Sequence, residues 1–162
     1  MSNKETGANH PTVIKIREFM DLLKSGNYEE FKKNNKDGDF ELIKIMLSGT
    51  KKMKYLLNSI KYNSEKAIIN MTITQPDLSE INDKMVENFK KEDIDYDELT
   101  DEEKNKVIRR MFYKTIQEEL ESDSLEYFTK TIDLTYIKNG EDWLREETNE
   151  DEFLDIFMSK LR

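Results

Sequence analysis

The stretch 65-EKAIINMTITQPDLSE-80 decides the fold. Ala67, Ile69, Met71 and Ile73 fall on one face and Ile68, Asn70, Thr72 and Thr74 on the other. This period of two, rich in β-branched residues, is that of a half-buried strand. Pro76 has no N–H to give to a ladder, so pairing ends there. Asp77 followed three residues later by Glu80 has the form of a capping box. The stretch therefore predicts a strand running directly into a helix that carries Leu78, Ile81, Met85 and Phe89.

Toward the N-terminus the neighbouring segment is less regular. In 51-KKMKYLLNSIKYN-63, Met53, Tyr55 and Leu57 alternate, but Ile60 and Tyr62 have changed phase. A β-bulge near Asn58 restores a common facing direction. Asn63-Ser64 then turns the chain, giving a hairpin of Met53–Tyr62 and Glu65–Thr74. Upstream, Val13, Ile16, Met20 and Leu23, flanked by Phe19 and Leu22, form the stripe of a helix starting at Thr12 and stopped by Gly26. Asn27 with Glu30 opens a short second helix holding Tyr28 and Phe31. Asp39 is placed to cap a third, with Phe40, Leu42, Ile43, Met46 and Leu47, that ends at Gly49. Residues 1–11 show no apolar periodicity and are expected to be a disordered leader or tether, with His10 solvated in it. Residues 12–160 then form a single domain.

Toward the C-terminus, Glu92–Glu103 is an acidic connector ending in a second capping box, Thr100 with Glu103. A long helix follows on Val107, Ile108, Met111, Phe112, Ile116 and Leu120, reaching about Glu121. From Leu125 to Lys138 a strand puts Phe128, Ile132, Leu134 and Tyr136 on one face, and Tyr127, Thr129, Thr131, Asp133 and Thr135 on the other. Asn139-Gly140 is a strong hairpin signal. It returns a strand Asp142–Glu147 through Trp143, and a last helix, Asn149–Ser159, carries Phe153, Ile156 and Phe157. Helices beside antiparallel hairpins make an α+β fold. The expected architecture is a curled, cone-like, four-stranded antiparallel sheet packed on N-terminal helices. A two-helix insert separates the hairpins, and a helix closes the chain.

The composition excludes several functions. The charge of −9 carries no segregated basic patch, which argues against a nucleic-acid partner. Cysteine is absent, so disulfides, thiolate metal sites and a Cys nucleophile are ruled out together. His10 is the sole histidine, which rules out a His triad or a multi-His metal site within one chain. Asp93, Asp95 and Asp97 have the opening spacing of an EF-hand loop, but Glu98 stands where its glycine belongs and Lys104 where its closing glutamate belongs. No Gly-rich phosphate loop exists. No metal or cofactor is expected, and the methionines read as gap-fillers at helical spacing.

The order of elements, with "GNYEEF" at 26–31, "ITQPDLS" at 73–79 and "YIKNGEDWL" at 136–144, resembles a known family. It is that of the nuclear transport factor 2-like (cystatin-like) domains of Gram-positive bacterial lipoproteins of unknown function. The resemblance implies an exported domain lipid-anchored outside the cell membrane, with "SNKETGANHP" as its polar tether and Met1 in place of a lipidated Cys. It brings no catalytic residues.

The reading that follows is an extracytoplasmic binding or interaction domain for a small molecule or a protein. Tyr55, Tyr62, Phe128, Tyr136 and Trp143 are its pocket candidates, and the same five also suit core packing. The insert is a candidate cover for the pocket, or a homodimer face. The alternative is an isomerase-like or dehydratase-like enzyme on the same cone fold, with Asp133 as base and Tyr136 as donor. Strand parity puts these two on opposite faces. A cytosolic acidic adaptor is the third reading.

Overall fold

The computed structural model describes residues 7–34, 40–146 and 150–161. Its elements are α1 (Pro11–Ser25), α2 (Tyr28–Asn34), α3 (Phe40–Thr50), β1 (Lys54–Tyr62), β2 (Lys66–Pro76), α4 (Ile81–Glu92), α5 (Asp101–Glu121), β3 (Tyr127–Asn139), β4 (Asp142–Arg145) and α6 (Glu150–Phe157). A single 3₁₀ turn, Tyr96–Glu98, interrupts the acidic connector. The four strands form one antiparallel, curled and unclosed sheet in the order β1-β2-β3-β4. This is the α+β architecture expected, with N-terminal helices, a helical insert (α4, α5) and a C-terminal helix.

β2 is the central beam, paired to β1 on one side and to β3 along its full length on the other. Ala67, Ile69, Met71 and Ile73 are buried together with Val13, Ile16, Met20 and Leu23 of α1 and with Phe153, Ile156 and Phe157 of α6. The alternation predicted at 65–74 thus delivers one apolar face to a single core. A second, smaller cluster joins Ile45 of α3 to Leu78, Ile81, Ile116 and Leu120, and seats the insert. On the outer face, polar cross-strand pairs replace apolar ones. Thr72 and Thr131 hydroxyls lie 2.9 Å apart, Thr74 and Thr129 3.1 Å apart, and Asn70 Nδ2 donates to Asp133 Oδ1 at 2.8 Å. Such pairs contribute a few tenths to about 1 kcal/mol each.

Local signals set most boundaries. Gly26 adopts φ 62° and its N–H reaches Leu23 O at 3.2 Å, closing α1 in a conformation few other residues tolerate. Asn27 Oδ1 accepts from Glu30 N at 3.2 Å, as the sequence predicts, whereas Asn27 N donates to Ser25 Oγ. Thr100 and Glu103 make the complete, reciprocal box at the start of α5. The bulge falls at Asn58, between Leu57 opposite Met71 and Ser59 opposite Asn70. The proposed cap at Asp39, the start of the last helix at Asn149 and the strand end at Glu147 lie outside the described residues.

Three sequence expectations are corrected. Asp77 does not cap a helix, because α4 starts only at Ile81, with Glu80 flanking it and giving no side-chain cap. Instead Asp77 Oδ1 accepts from Ser79 N at 3.0 Å and Oδ2 takes a bond from Lys160 Nζ at 3.3 Å. Leu78, 2% exposed, is drawn into the insert's core, and that burial delays the helix by a turn. Gly49 does not end α3 but lies inside it, where a Cβ would come within 3.0 Å of Ser159 Oγ. The helix closes at Thr50, whose buried hydroxyl donates to Leu23 O at 2.6 Å. Finally, His10 is not a solvated leader residue. It is 9% exposed and is the N-cap of α1, its Nδ1 accepting from Thr12 N at 3.2 Å.

Candidate functional site

The inner face of β1 is where regular pleating fails. In an unbroken strand the inward residue after Leu57 would be two positions on. The extra residue at the bulge makes it Ile60, three positions on, so that Leu57 faces Met71 and Ile60 faces Ile69 across a locally bent edge. Asn58 itself turns outward, its Nδ2 donating to Asn70 Oδ1 and Thr72 Oγ1, both at 2.8 Å.

Beside the bulge, between β1 and α1, lies a groove of about 460 Å³ that Asn58 and Ser59 also line, within the roughly 300–1,000 Å³ of small-molecule sites. Its apolar floor is Val13, Leu57, Ile60 and Ile69, and Val13 and Ile69 are core residues. Arg17, one turn beyond Val13, stands at its mouth, and Lys61 lies on the strand rim. The far wall is Gly7 and Ala8, in a turn of helix ahead of α1. Gly7 is packed so closely that a Cβ there would run into Ile60 Cγ2.

His10 holds that wall in place. Its N–H donates to Gly7 O at 3.0 Å, and its ring lies 4.6 Å from that of Tyr62 and 4.8 Å from that of Trp143. Burial pushes the imidazole pKa below its ordinary value of 6.5, and the Lys138 ammonium adds to the shift. The neutral ring is the form the cap requires, because Nδ1 must accept from Thr12 N.

The five aromatic candidates divide between the two ends of the sheet. Tyr62 and Tyr136 both pair with Ala67, and Trp143 sits opposite Lys138, so these three gather near His10 at the end of the hairpin turns. Tyr136 and Trp143 are part of the core, and burial pushes the Tyr136 phenol up. Tyr55 and Phe128 lie at the other end, opposite Ile73 and Gln75. The Tyr55 hydroxyl donates to Asp21 Oδ1 at 2.9 Å. Burial and then the Asp21 bond push its pKa up, and the Arg17 guanidinium beside it works the other way. Lys160 Nζ lies 4.8 Å above the Phe128 ring. The sheet separates Asp133 from Tyr136: Asp133 accepts from Asn70 on the outer face while Tyr136 is buried on the inner one.

The groove residues on α1 and in the N-terminal wall were not singled out by the sequence reading. The phase change at Asn58 was the available signal, since a bulge displaces side chains from the face it bends. Nothing local announced the wall at Gly7-Ala8.

Two other clefts are large. One of about 1,000 Å³ runs past Phe128, Ile156 and Leu161, but two of its charges pair with each other, Lys130 with Glu152 at 3.3 Å. The second, about 630 Å³, lies on the insert between Val86, Phe89, Tyr96 and Ile108. The cleft past Phe128 also reaches the main core at Ile156, but its cations Lys130 and Lys160 are paired with Glu152 and Asp77, whereas Arg17 at the β1 groove has no ion pair among the described residues.

No family model matches the chain, and no curated protein does. Among solved structures it is similar to ycdA, a candidate lipoprotein of Bacillus subtilis, with a TM-score of 0.51 and 16% identity. The likeness covers 97% of this chain and 50% of that one, so the chain spans about half the length of the protein it matches. At this identity the likeness is one of fold, and it does not extend to a nuclear transport factor 2-like assignment. No helix among the described residues is long and apolar enough to cross a membrane.

Proposed function

We propose that this chain is a non-catalytic binding domain of an extracytoplasmic, lipid-anchored protein, and that its ligand site is the groove between α1 and the bulged strand β1. The groove carries the binding reading, since a floor that reaches the core beside one accessible guanidinium is the usual composition of a small-molecule site. The fold likeness to ycdA supports the compartment. The curled sheet wrapped on α1 is compatible with a cystatin-like origin in a Gram-positive bacterium. The isomerase-like alternative is disfavoured because its carboxylate and phenol lie on opposite faces of β3.

Two measurements test this. In the native gene, a signal peptide and a lipobox cysteine are expected upstream of residue 1, and the native protein should take up a lipid label and fractionate with membranes. An unlabelled protein in the cytosol refutes the compartment. For the site, methyl chemical-shift mapping with a small-molecule library should move Val13, Leu57, Ile60 and Ile69 first. Hits confined to the insert cleft around Val86 and Ile108 refute it.

A further inference from the structure

We infer that the groove takes a free amphipathic monoanion, an extended apolar body carrying a single carboxylate-type head. This rests on the groove being the ligand site. The body is specified by the floor, because Val13, Leu57, Ile60 and Ile69 offer it no polar side-chain atom. The head is specified by Arg17. In a chain of net charge −9 this guanidinium stands at the mouth of an apolar groove. Among the described residues it has no carboxylate within ion-pair distance, and its one side-chain neighbour of note is the Tyr55 hydroxyl, which also bonds Asp21. Its planar fork of donors suits a carboxylate bound in two-point fashion. Lys61 on the rim adds the same sign of charge. A peptide strand added along β1 is the less suitable occupant, because the bulge at Asn58 breaks the edge it would pair with.

The bulge also supplies a clean control. Deleting Asn58 would leave Leu57 opposite Met71, Ser59 opposite Asn70 and Ile60 opposite Ile69 in an unbroken ladder. The inward residues would then stand two positions apart, opposite the same partners, and the local bend and the Asn58 lining of the groove would be lost, with the hairpin register kept.

The test is titration of the folded domain with decanoate, decanol and decyltrimethylammonium below their micelle concentrations, read on the methyl signals of Val13, Leu57, Ile60 and Ile69. Decanoate is expected to saturate those shifts at least about tenfold tighter than the other two. Arg17→Gln should remove that advantage, Arg17→Lys should keep part of it, and the Asn58 deletion, which straightens a strand lining the groove, should weaken binding of all three. Decanol or decyltrimethylammonium binding as tightly as decanoate at these methyls overturns the ligand class and leaves the groove as the site. Absence of saturable shifts there with all three, or shifts only on the insert, overturns the ligand class and the groove reading together. Decanoate binding unchanged by Arg17→Gln overturns the role of Arg17 and with it the inference.

Discussion

β1 and β2 are adjacent, antiparallel and similarly apolar, yet they do different work. β2 alternates without a fault, is paired on both sides, and sends Ala67, Ile69, Met71 and Ile73 into the main core. β1 is an edge strand with one residue too many, and the groove lies along its bulged stretch, lined by Leu57, Asn58, Ser59 and Ile60. Regular pleating commits the inner face of β2 to the core, whereas the bent edge of β1 lies beside the groove. The irregularity at Asn58 costs little, because it sits at an edge and its side chain is satisfied on the outer face. The comparison teaches that here the fold and the site come from neighbouring strands obeying and breaking the same rule.

Substitutions that break the regular strand should have the largest effect. Met71, 0% exposed, becomes a cavity in Met71→Ala, which is expected to cost about 2–5 kcal/mol by urea denaturation. Leu56 on β1 is 63% exposed, and Leu56→Ala should stay within about 0.5 kcal/mol. Equal costs at the two positions would remove the contrast.

The groove wall comes next. Gly7→Ala forces a Cβ into Ile60, and overpacking of this kind costs about 1–3 kcal/mol if the wall stays in place. If the wall yields instead, the Ile60 methyl shifts should move with little loss of stability. A variant unchanged in both respects would detach Gly7 from β1.

His10 sharpens the comparison through pH. Its pKa is depressed in the folded chain, so the unfolded state binds its proton first as pH falls. The stability held by the neutral cap is complete above the unfolded value of about 6.5. It is lost as pH falls from there through the lower folded value. The Lys138 ammonium acts in the same direction as burial, and the Lys15 ammonium, bonded to Trp143 O, and the Tyr62 ring are the other groups placed near the imidazole. His10→Asn retains a capping oxygen and should flatten the stability profile between pH 5 and 7, values set by the unperturbed imidazole at about 6.5. An identical profile in wild type and variant would show that the cap does not titrate.

The smallest effect is expected for the Asn58 deletion. It removes two exposed hydrogen bonds and restores the alternation, so stability should change by no more than about 0.5 kcal/mol. A loss of several kcal/mol would mean that the bulge supports the fold as well as the groove.

Much of this was legible residue by residue. The strand at 65–74, the bulge at Asn58, the box at Thr100 and Glu103, the stop at Gly26 and the hairpin at Asn139-Gly140 are all marked by residue types and periodicity within a few positions of themselves. Asp77 and Gly49 misled for the opposite reason. Each has the local chemistry of a boundary, but distant partners fix its role: Lys160 bonds Asp77, the insert's core claims the neighbouring Leu78, and Ser159 packs against Gly49. The five aromatics share a face by parity, and parity says nothing of position along the strand; register then sent them to opposite ends.

By itself, then, the sequence determined the α+β class, the single sheet, the strand faces and the exclusion of thiol, multi-histidine and phosphate-loop chemistry, because periodicity and residue type act locally or by composition. Only the tertiary structure decided that His10 is buried as a cap, that Gly7 walls a groove against Ile60, and that Arg17 stands at its mouth. Each of these joins parts of the chain that no local spacing relates. The groove lies where a bulged strand and a helix far apart in sequence are packed against each other.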